Sequence, residues 1–304
     1  MGNKPRKELS MKAKANIVGW VFVAPALLGF LLFNLLPMAL SAYYSLCEYK
    51  GYGEATFVGL QNYREMLTGV DTNFWPSVTA TVKYVLLAVP CNLLFALLIA
   101  MLLNTNIKGR AMFRSIFYLP SILPGVATSF VWMLLMNPDF GLFNTILKAI
   151  HLPTSLFFWD KNSVIPSIVF MGIWATGSTQ VIFLAGLQDI PRNYYEALEI
   201  DGGGYWARFR YVTLPLLSPT VFFNLVMGII GSLQVFGSAY IITDGGPNNA
   251  SLFYVYQLWR QAFKYISMGK ASAMAWMLFI VIAFLTMIVF GTSNKWVYYE
   301  GGEQ

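Results

Sequence analysis

Six apolar blocks dominate this chain, at about Ile17–Ala42, Ser77–Leu103, Met112–Met136, Val164–Leu187, Leu216–Ile242 and Ala271–Thr292. Each exceeds the ~20 residues that an α-helix needs to cross a bilayer. Hydrocarbon offers no water to backbone N–H and C=O groups, so such blocks must be helices that bond internally. The expected fold class is therefore all-α, a polytopic membrane protein with six transmembrane helices. Charge content agrees. Only 11% of the residues are charged, against about a quarter in a soluble domain, too few to clothe a soluble surface. Lys83 lies near an end of the second block, where its ammonium can snorkel to the interface.

The formal net charge of +6 would favour nucleic acid in a soluble protein. Here the basic residues cluster at the ends of the apolar blocks, so membrane lipid is the expected partner and nucleic acid is not. One set of segments carries Lys4, Arg6, Lys7, Lys12, Lys14, Lys108, Arg110, Arg114, Arg192, Arg208, Arg210 and Lys295. The opposite, longer set carries Lys50, Arg64, Lys148, Lys161, Arg260, Lys264 and Lys270. That is twelve against seven, and the positive-inside rule makes the first set cytoplasmic. Both termini are then inside. The chain divides into a cytoplasmic tail at 1–16, a membrane domain at 17–292 and a second cytoplasmic tail at 293–304. The apolar run from about Ile17 to Leu36 is long enough to span, and the residues after it lack cleavage-site patterning, so it reads as an uncleaved first span.

Three outer loops are substantial: Glu48–Pro76, Asn137–Ser163 and Thr243–Lys270. In the third, Leu252, Tyr256, Trp259, Phe263 and Ile266 recur at helical spacing, which predicts a short helix at the outer interface. The two cysteines, Cys47 and Cys91, have no partner at metal-ligand spacing, and His151 is the one histidine. A disulfide framework, a zinc site and a histidine relay are not expected.

The loop between the fourth and fifth blocks, 188–215, differs from a polar turn. Pro191 suits a helix start. Arg192 through Ile200 favour helix, with Tyr195, Leu198 and Tyr194 toward one side. Gly202, Gly203 and Gly204 stop the helix and permit a sharp reversal. Tyr205 through Val212 form a second short amphipathic piece, and Leu214-Pro215 opens the next span. The result is a helical elbow that offers Glu196, Glu199 and Asp201 to a basic partner. Such a loop could also lie on the membrane, although three carboxylates suit anionic headgroups poorly.

The elbow resembles the signature loop of importer permeases of the ATP-binding-cassette class. That pattern is Glu-Ala-Ala, three residues, Gly, nine residues, Ile, one residue, Leu-Pro. Here Glu196-Ala197-Leu198 precedes Gly202 by the same three residues, nine residues lead to Val212, and Thr213 precedes Leu214-Pro215. Leu198 replaces an alanine, Val212 replaces isoleucine, and Gly203 stands where sugar importers usually carry alanine. Arg114-Ser115-Ile116-Phe117-Tyr118-Leu119-Pro120, with Pro124, and Ile242-Thr243-Asp244-Gly245-Gly246-Pro247, preceded by Gln234-Val235-Phe236, are similar to the same subfamily.

That resemblance implies a type I ABC importer fold in a bacterial cytoplasmic membrane, carrying a sugar or related carbohydrate. Glu196, Ala197, Asp201, Gly202, Gly203, Leu214 and Pro215 would form a coupling helix and its flank, seated on a cytoplasmic ABC ATPase dimer. The other implied partners are a second, homologous permease subunit and an extracytoplasmic substrate-binding protein. The chain has no Gly-x-x-x-x-Gly-Lys-Ser/Thr loop, so no cofactor is expected in this chain, and ATP and Mg would be held by the ATPase partner. The fourth and fifth spans would line the pathway, with Trp174, Thr176, Gln180, Asn224, Gln234 and Phe236 as candidates for sugar contact. Small polar residues there serve equally as helix-packing glue.

The rivals are an ion-coupled secondary transporter, a channel-like protein and a membrane-embedded enzyme. Carriers and enzymes of this kind usually place acidic residues or histidine at membrane depth. No Asp, Glu or His lies in any of the six blocks, so no catalytic or metal-ligating residue is assigned.

Overall fold

A computed structural model of the chain describes residues 10–105 and 108–298. Lys4, Arg6 and Lys7, and positions 299–304 of the C-terminal tail, lie outside the described residues. Helix α1 (Met11–Phe30) runs through a π turn at Leu31–Leu35 into α2 (Leu36–Ser45). A two-residue antiparallel ribbon follows, β1 (Cys47–Glu48) on β2 (Thr56–Phe57). Then come α3 (Gln61–Leu67), the long α4 (Phe74–Asn104), α5 (Arg110–Tyr118), α6 (Gly125–Leu135), α7 (Leu142–Ala149), α8 (Val164–Trp174) and α9 (Gly177–Asp189). The chain continues with α10 (Arg192–Ile200), α11 (Tyr205–Ala207), α12 (Leu214–Leu233), α13 (Tyr254–Trp259) and α14 (Met268–Ser293).

Four continuous helices are long and apolar enough to cross a membrane: Asn16–Ser45, Phe74–Asn104, Tyr205–Leu233 and Met268–Ser293. At the other two expected spans stand bent helix pairs, each long and apolar enough to cross only when its two arms are counted together. Arg110–Ile122 meets Gly125–Leu135 at 101°, and Val164–Trp174 meets Gly177–Asp189 at 52°. The first bend follows from Pro120 and Pro124. A residue before proline is pushed from the helical region, and Leu123 is extended at ψ 140. At the second bend the backbone of Gly177 passes so close to the first that a Cβ would lie 2.8 Å from the Phe117 carbonyl oxygen. Only glycine fits there.

The fifth span differs from expectation at both ends. It was expected over Leu216–Ile242, opened by Leu214-Pro215. The helix instead starts at Tyr205, passes through a π turn at Arg208–Thr213 and ends at Leu233. Proline lacks an N–H and crowds the carbonyl four residues back. The π turn immediately before Leu214-Pro215 relaxes that crowding, with the Leu214 N–H bonded to the Phe209 carbonyl. The first span solves the same problem alike: a π turn precedes Leu36-Pro37, and Leu36 N–H bonds to the Leu31 carbonyl.

Helix α4 is the hub, packed against α8, α9, α12 and α13. One face carries Ala80, Ala88, Ala96 and Ala100, all at most 4% exposed, and small side chains let neighbouring backbones approach. The opposite face carries Leu86, Leu94, Leu98 and Leu102, all at least 58% exposed. The expected outer helix forms as α13, but it packs into the protein rather than lying on its surface. Leu252 and Tyr256 are buried, Trp259 is half-buried, and Phe263 and Ile266 are exposed. The salt bridge from Lys270 to Glu65, at 2.6 Å, ties α14 to α3. It holds the Glu65 carboxyl below its ordinary pKa, helped by a hydrogen bond from Gln61. Both cysteines are free.

Candidate functional site

Two regions gather the residues that the sequence singles out. The first is the elbow. Pro191, with ψ 138, leads into α10, and the helix closes at Asp201. Gly202 has φ +79, a left-handed conformation that favours glycine. Its N–H bonds to the Glu199 carbonyl at 3.0 Å, and the Gly203 N–H bonds to the Leu198 carbonyl at 2.8 Å. This pair of bonds is a Schellman closure, which satisfies carbonyls a helix end leaves orphaned. Gly203 is glycine for want of space, since a Cβ would lie 2.5 Å from Leu198 Cγ. Gly204 meets no such limit.

The inner side of the elbow is anchored. Tyr195 and Leu198 pack on the core formed by Phe183, Leu187, Val212 and Leu217. The Tyr195 hydroxyl is hydrogen-bonded to Thr213 Oγ1 at 3.0 Å. Thus Leu214 and Pro215, within the continuous helix, sit just beyond the anchor. On the outer side, Glu196, Ala197 and Asp201 are exposed. Glu199 is not available as expected: Arg208 Nη2 binds its carboxylate at 2.7 Å inside the elbow. Glu196 and Asp201 have no such partner among the described residues. Beside them, Ile200, Tyr205 and Trp206 are at least 70% exposed. The elbow therefore presents two free carboxylates bordered by apolar surface.

The second region lies where three helix breaks meet. Pro120, Ser121, Leu123 and Gly125 come from the first bend, Ala175 and Ser178 from the second, and Val235, Gly237 and Ser238 from the break after α12. With Tyr84, Thr128 and Ser129 they line a cavity of about 350 Å3. The buried Ser238 hydroxyl has no hydrogen-bond partner among the described residues. Broken helices at membrane depth are tolerated where they line a cavity, and they supply polar groups there.

The six pathway candidates do not converge on that cavity. Trp174 lines an aromatic cavity of about 500 Å3 with Trp132, Phe143 and Phe170. Thr176 and Gln180 hold the second bend: Gln180 Nε2 donates to Thr176 Oγ1 at 3.0 Å, and Thr176 Oγ1 donates to the Ile173 carbonyl at 2.8 Å. Gln180 also borders a pocket near the elbow with Arg114, Tyr118 and Gln188. Two guanidinium nitrogens of Arg114 are buried without partners among the described residues. Asn224 is buried, and its amide nitrogen has no hydrogen-bond partner among the described residues. Gln234, expected within a span, is exposed at the break after α12. Phe236 stacks on Tyr240 at 5.2 Å, beside Trp259. Sequence reading missed Tyr84, Ser121 and Thr128; Pro120 and Pro124 were the signal that this part of the span is broken.

Residues 92–297 match the family of binding-protein-dependent transport system inner membrane components. The chain is 41% identical over 295 residues to Probable ABC transporter permease protein YesP of Bacillus subtilis, covering 96% of this chain and 95% of that one. It is 31% identical over 283 residues to the trehalose/maltose transport system permease protein MalF of Thermococcus litoralis, covering 91% and 94%. Its fold matches a chain of a bacterial alginate ABC transporter, solved with an alginate pentasaccharide-bound periplasmic protein, at a TM-score of 0.81 and 20% identity, covering 94% and 97%. The chain is therefore a multi-pass membrane transport component rather than an enzyme, and it belongs to the family of binding-protein-dependent transport system inner membrane components.

Proposed function

We propose that this chain is one of two permease subunits of an ATP-driven, binding-protein-dependent importer of a sugar or related carbohydrate. The observation that carries the coupling role is the elbow. It is closed by two backbone hydrogen bonds and anchored on one side, while Glu196 and Asp201 are exposed without salt-bridge partners among the described residues. A basic, grooved partner suits that surface through charge-assisted hydrogen bonds and burial of Ile200 and Trp206. A cytoplasmic ABC ATPase dimer, holding ATP and Mg, is that partner, so the elbow and both termini lie in the cytoplasm. ATP-driven closure of the ATPase moves the elbow, and the bent spans change access to the cavity between them. The carbohydrate class is supported by relatives named for trehalose/maltose and lactose transport. The second permease, a homologous chain, completes the pathway, and an extracytoplasmic binding protein delivers the substrate.

The test is reconstitution of the complex with its ATPase and binding protein, with ATPase activity screened against a carbohydrate panel. Stimulation by one carbohydrate class, abolished together with ATPase assembly in Glu196→Lys, is the expected result. Wild-type stimulation in Glu196→Lys would remove the coupling role. Stimulation by no carbohydrate but by another solute would remove the substrate class alone.

A further inference from the structure

A crevice of about 1050 Å3 is separate from both regions above. The start of α4 contributes Trp75, Thr79 and Lys83, the approach to α8 contributes Lys161 and Asn162, and the turn before α13 contributes Asn248 and Asn249. Among the described residues, no carboxylate lines it. The acids nearest in sequence each accept hydrogen bonds, Asp244 from Tyr256. Asp160 accepts the N–H groups of Asn162 and Ser163, at 2.9 and 3.1 Å. Asp71 accepts from Gln261 at 2.7 Å. Neither Lys83 nor Lys161 has a salt bridge or hydrogen bond among the described residues. Asn248 and Asn249 are at φ +50 and +59, a left-handed conformation that asparagine enters more readily than most residues, and Asn249 Nδ2 donates to Asn73 Oδ1 at 3.2 Å.

The crevice is graded along the helix axis. Down α4 it runs from the Trp75 ring and Thr79 to Lys83, about 12 Å below Trp75, and one turn further to Leu86 and Leu87. Lys161, the amides, Pro76, Ala80 and Ala250 line its rim, and Ile165 and Pro166 are contributed by the start of α8. The face then continues down α4 as exposed Leu94, Leu98 and Leu102. A carbohydrate would need hydrogen-bonding groups along its whole length. A ligand with an anionic head and a hydrocarbon tail suits this order: amides, Lys161 and an aromatic ring at the rim, Lys83 beneath them and leucines below.

We propose that this crevice binds one anionic phospholipid, its phosphodiester between Lys83 and Lys161 and an acyl chain along the Leu86–Leu94–Leu98 face. The proposal does not depend on the transported substrate. The complex, purified from its membrane, is equilibrated in detergent with equimolar phosphatidylglycerol and phosphatidylcholine, and bound lipid is counted by native mass spectrometry. Wild type retains phosphatidylglycerol preferentially. The preference falls about fivefold for each lysine removed in Lys83→Gln and Lys161→Gln, matching the ~1 kcal/mol per basic residue typical of anionic membranes. The variant with both lysines changed to arginine keeps it, showing that charge rather than folding is read. An unchanged preference in the double glutamine variant overturns the proposal. So does full displacement by water-soluble glycerol phosphate, which would assign the lysines to a free phosphate ester. A photoreactive residue in place of Leu86 that cross-links to a protein subunit instead of lipid would make this face an assembly contact, and would also overturn it.

Discussion

Gly203 occupies the position where sugar importers usually carry alanine, and Leu198 replaces an alanine of the same signature. The structure makes these two departures one. A methyl group on Gly203 would lie 2.5 Å from Leu198 Cγ and 2.9 Å from Leu198 Cδ1, about 1 Å inside an ordinary carbon–carbon contact of ~3.5 Å. Overpacking of this kind costs about 1–3 kcal/mol. Leu198 is half-buried against the core beneath the elbow, so it can yield only in part. We therefore expect Gly203→Ala to destabilise the elbow by ~1–2 kcal/mol, a factor of about 5–30 in its opening equilibrium. The Gly203 N–H bond to the Leu198 carbonyl would weaken first. Hydrogen exchange at the amides of Gly202 and Gly203 in the reconstituted complex measures this directly. In a Leu198→Ala background, the added cost of Gly203→Ala should fall below ~0.5 kcal/mol, with a coupling energy in the range found for residues in contact. The remaining 2.9 Å approach to the Leu198 carbonyl keeps the rescue short of complete. Equal costs in the two backgrounds would refute the steric pairing.

Three further outcomes are expected. Gly202→Val should reduce coupled transport more than Gly204→Ala, because Gly202 is at φ +79 and Gly204 is unconstrained; equal, mild losses in an ATP-dependent uptake assay would place the turn elsewhere. Gln180→Leu and Gln234→Leu should each lower uptake while basal ATPase activity and assembly persist. Because Gln180 also braces Thr176, loss of assembly in Gln180→Leu alone would identify a purely structural amide, and normal uptake in both would clear them of substrate contact. Glu65→Gln should cost ~0.5 kcal/mol at pH 7, the scale of a partly exposed ion pair. The Glu65 pKa is lowered in the folded protein, so the pair stabilises fully above the ordinary glutamate value of about 4.3. Its contribution is lost as pH falls through the lowered value. A melting-temperature difference between wild type and Glu65→Gln that does not shrink as pH falls below about 4.3 would contradict this.

Hydropathy located the four continuous spanning helices, the fifth block with shifted ends, and the two bent pairs, because the bilayer imposes length and apolarity on any helix that crosses it. It did not reveal the bends, because Leu119-Pro120 and Ala175-Thr176-Gly177 are as apolar or neutral as their surroundings. Their information lies in backbone angles and in how closely Gly177 passes Phe117. The displaced fifth span has a similar origin. Arg208 and Arg210 interrupt the apolar run, yet the backbone continues helical through them. The elbow was legible almost residue by residue, since glycine and proline act locally. Its internal ion pair, Arg208 to Glu199, was not legible, because it depends on the reversal that those glycines create. Nor was the meeting of three breaks around Ser238, which is a property of the packed bundle and of no single segment.

The π turn at Arg208–Thr213 amounts to one extra residue in the stalk joining the elbow to the membrane. Each residue turns an α-helix by about 100° and advances it ~1.5 Å. Removing one residue between Tyr205 and Leu214 would restore ordinary helical winding and leave both segments intact. Because the wider turn already absorbs that residue, the elbow would keep about its present bearing, and Glu196 and Asp201 would point as before. A second deletion, or an insertion wound as ordinary α-helix, would instead turn the elbow by roughly a quarter turn: the nine-residue spacing from Gly202 to Val212 carries one residue of slack, in the direction of shortening only.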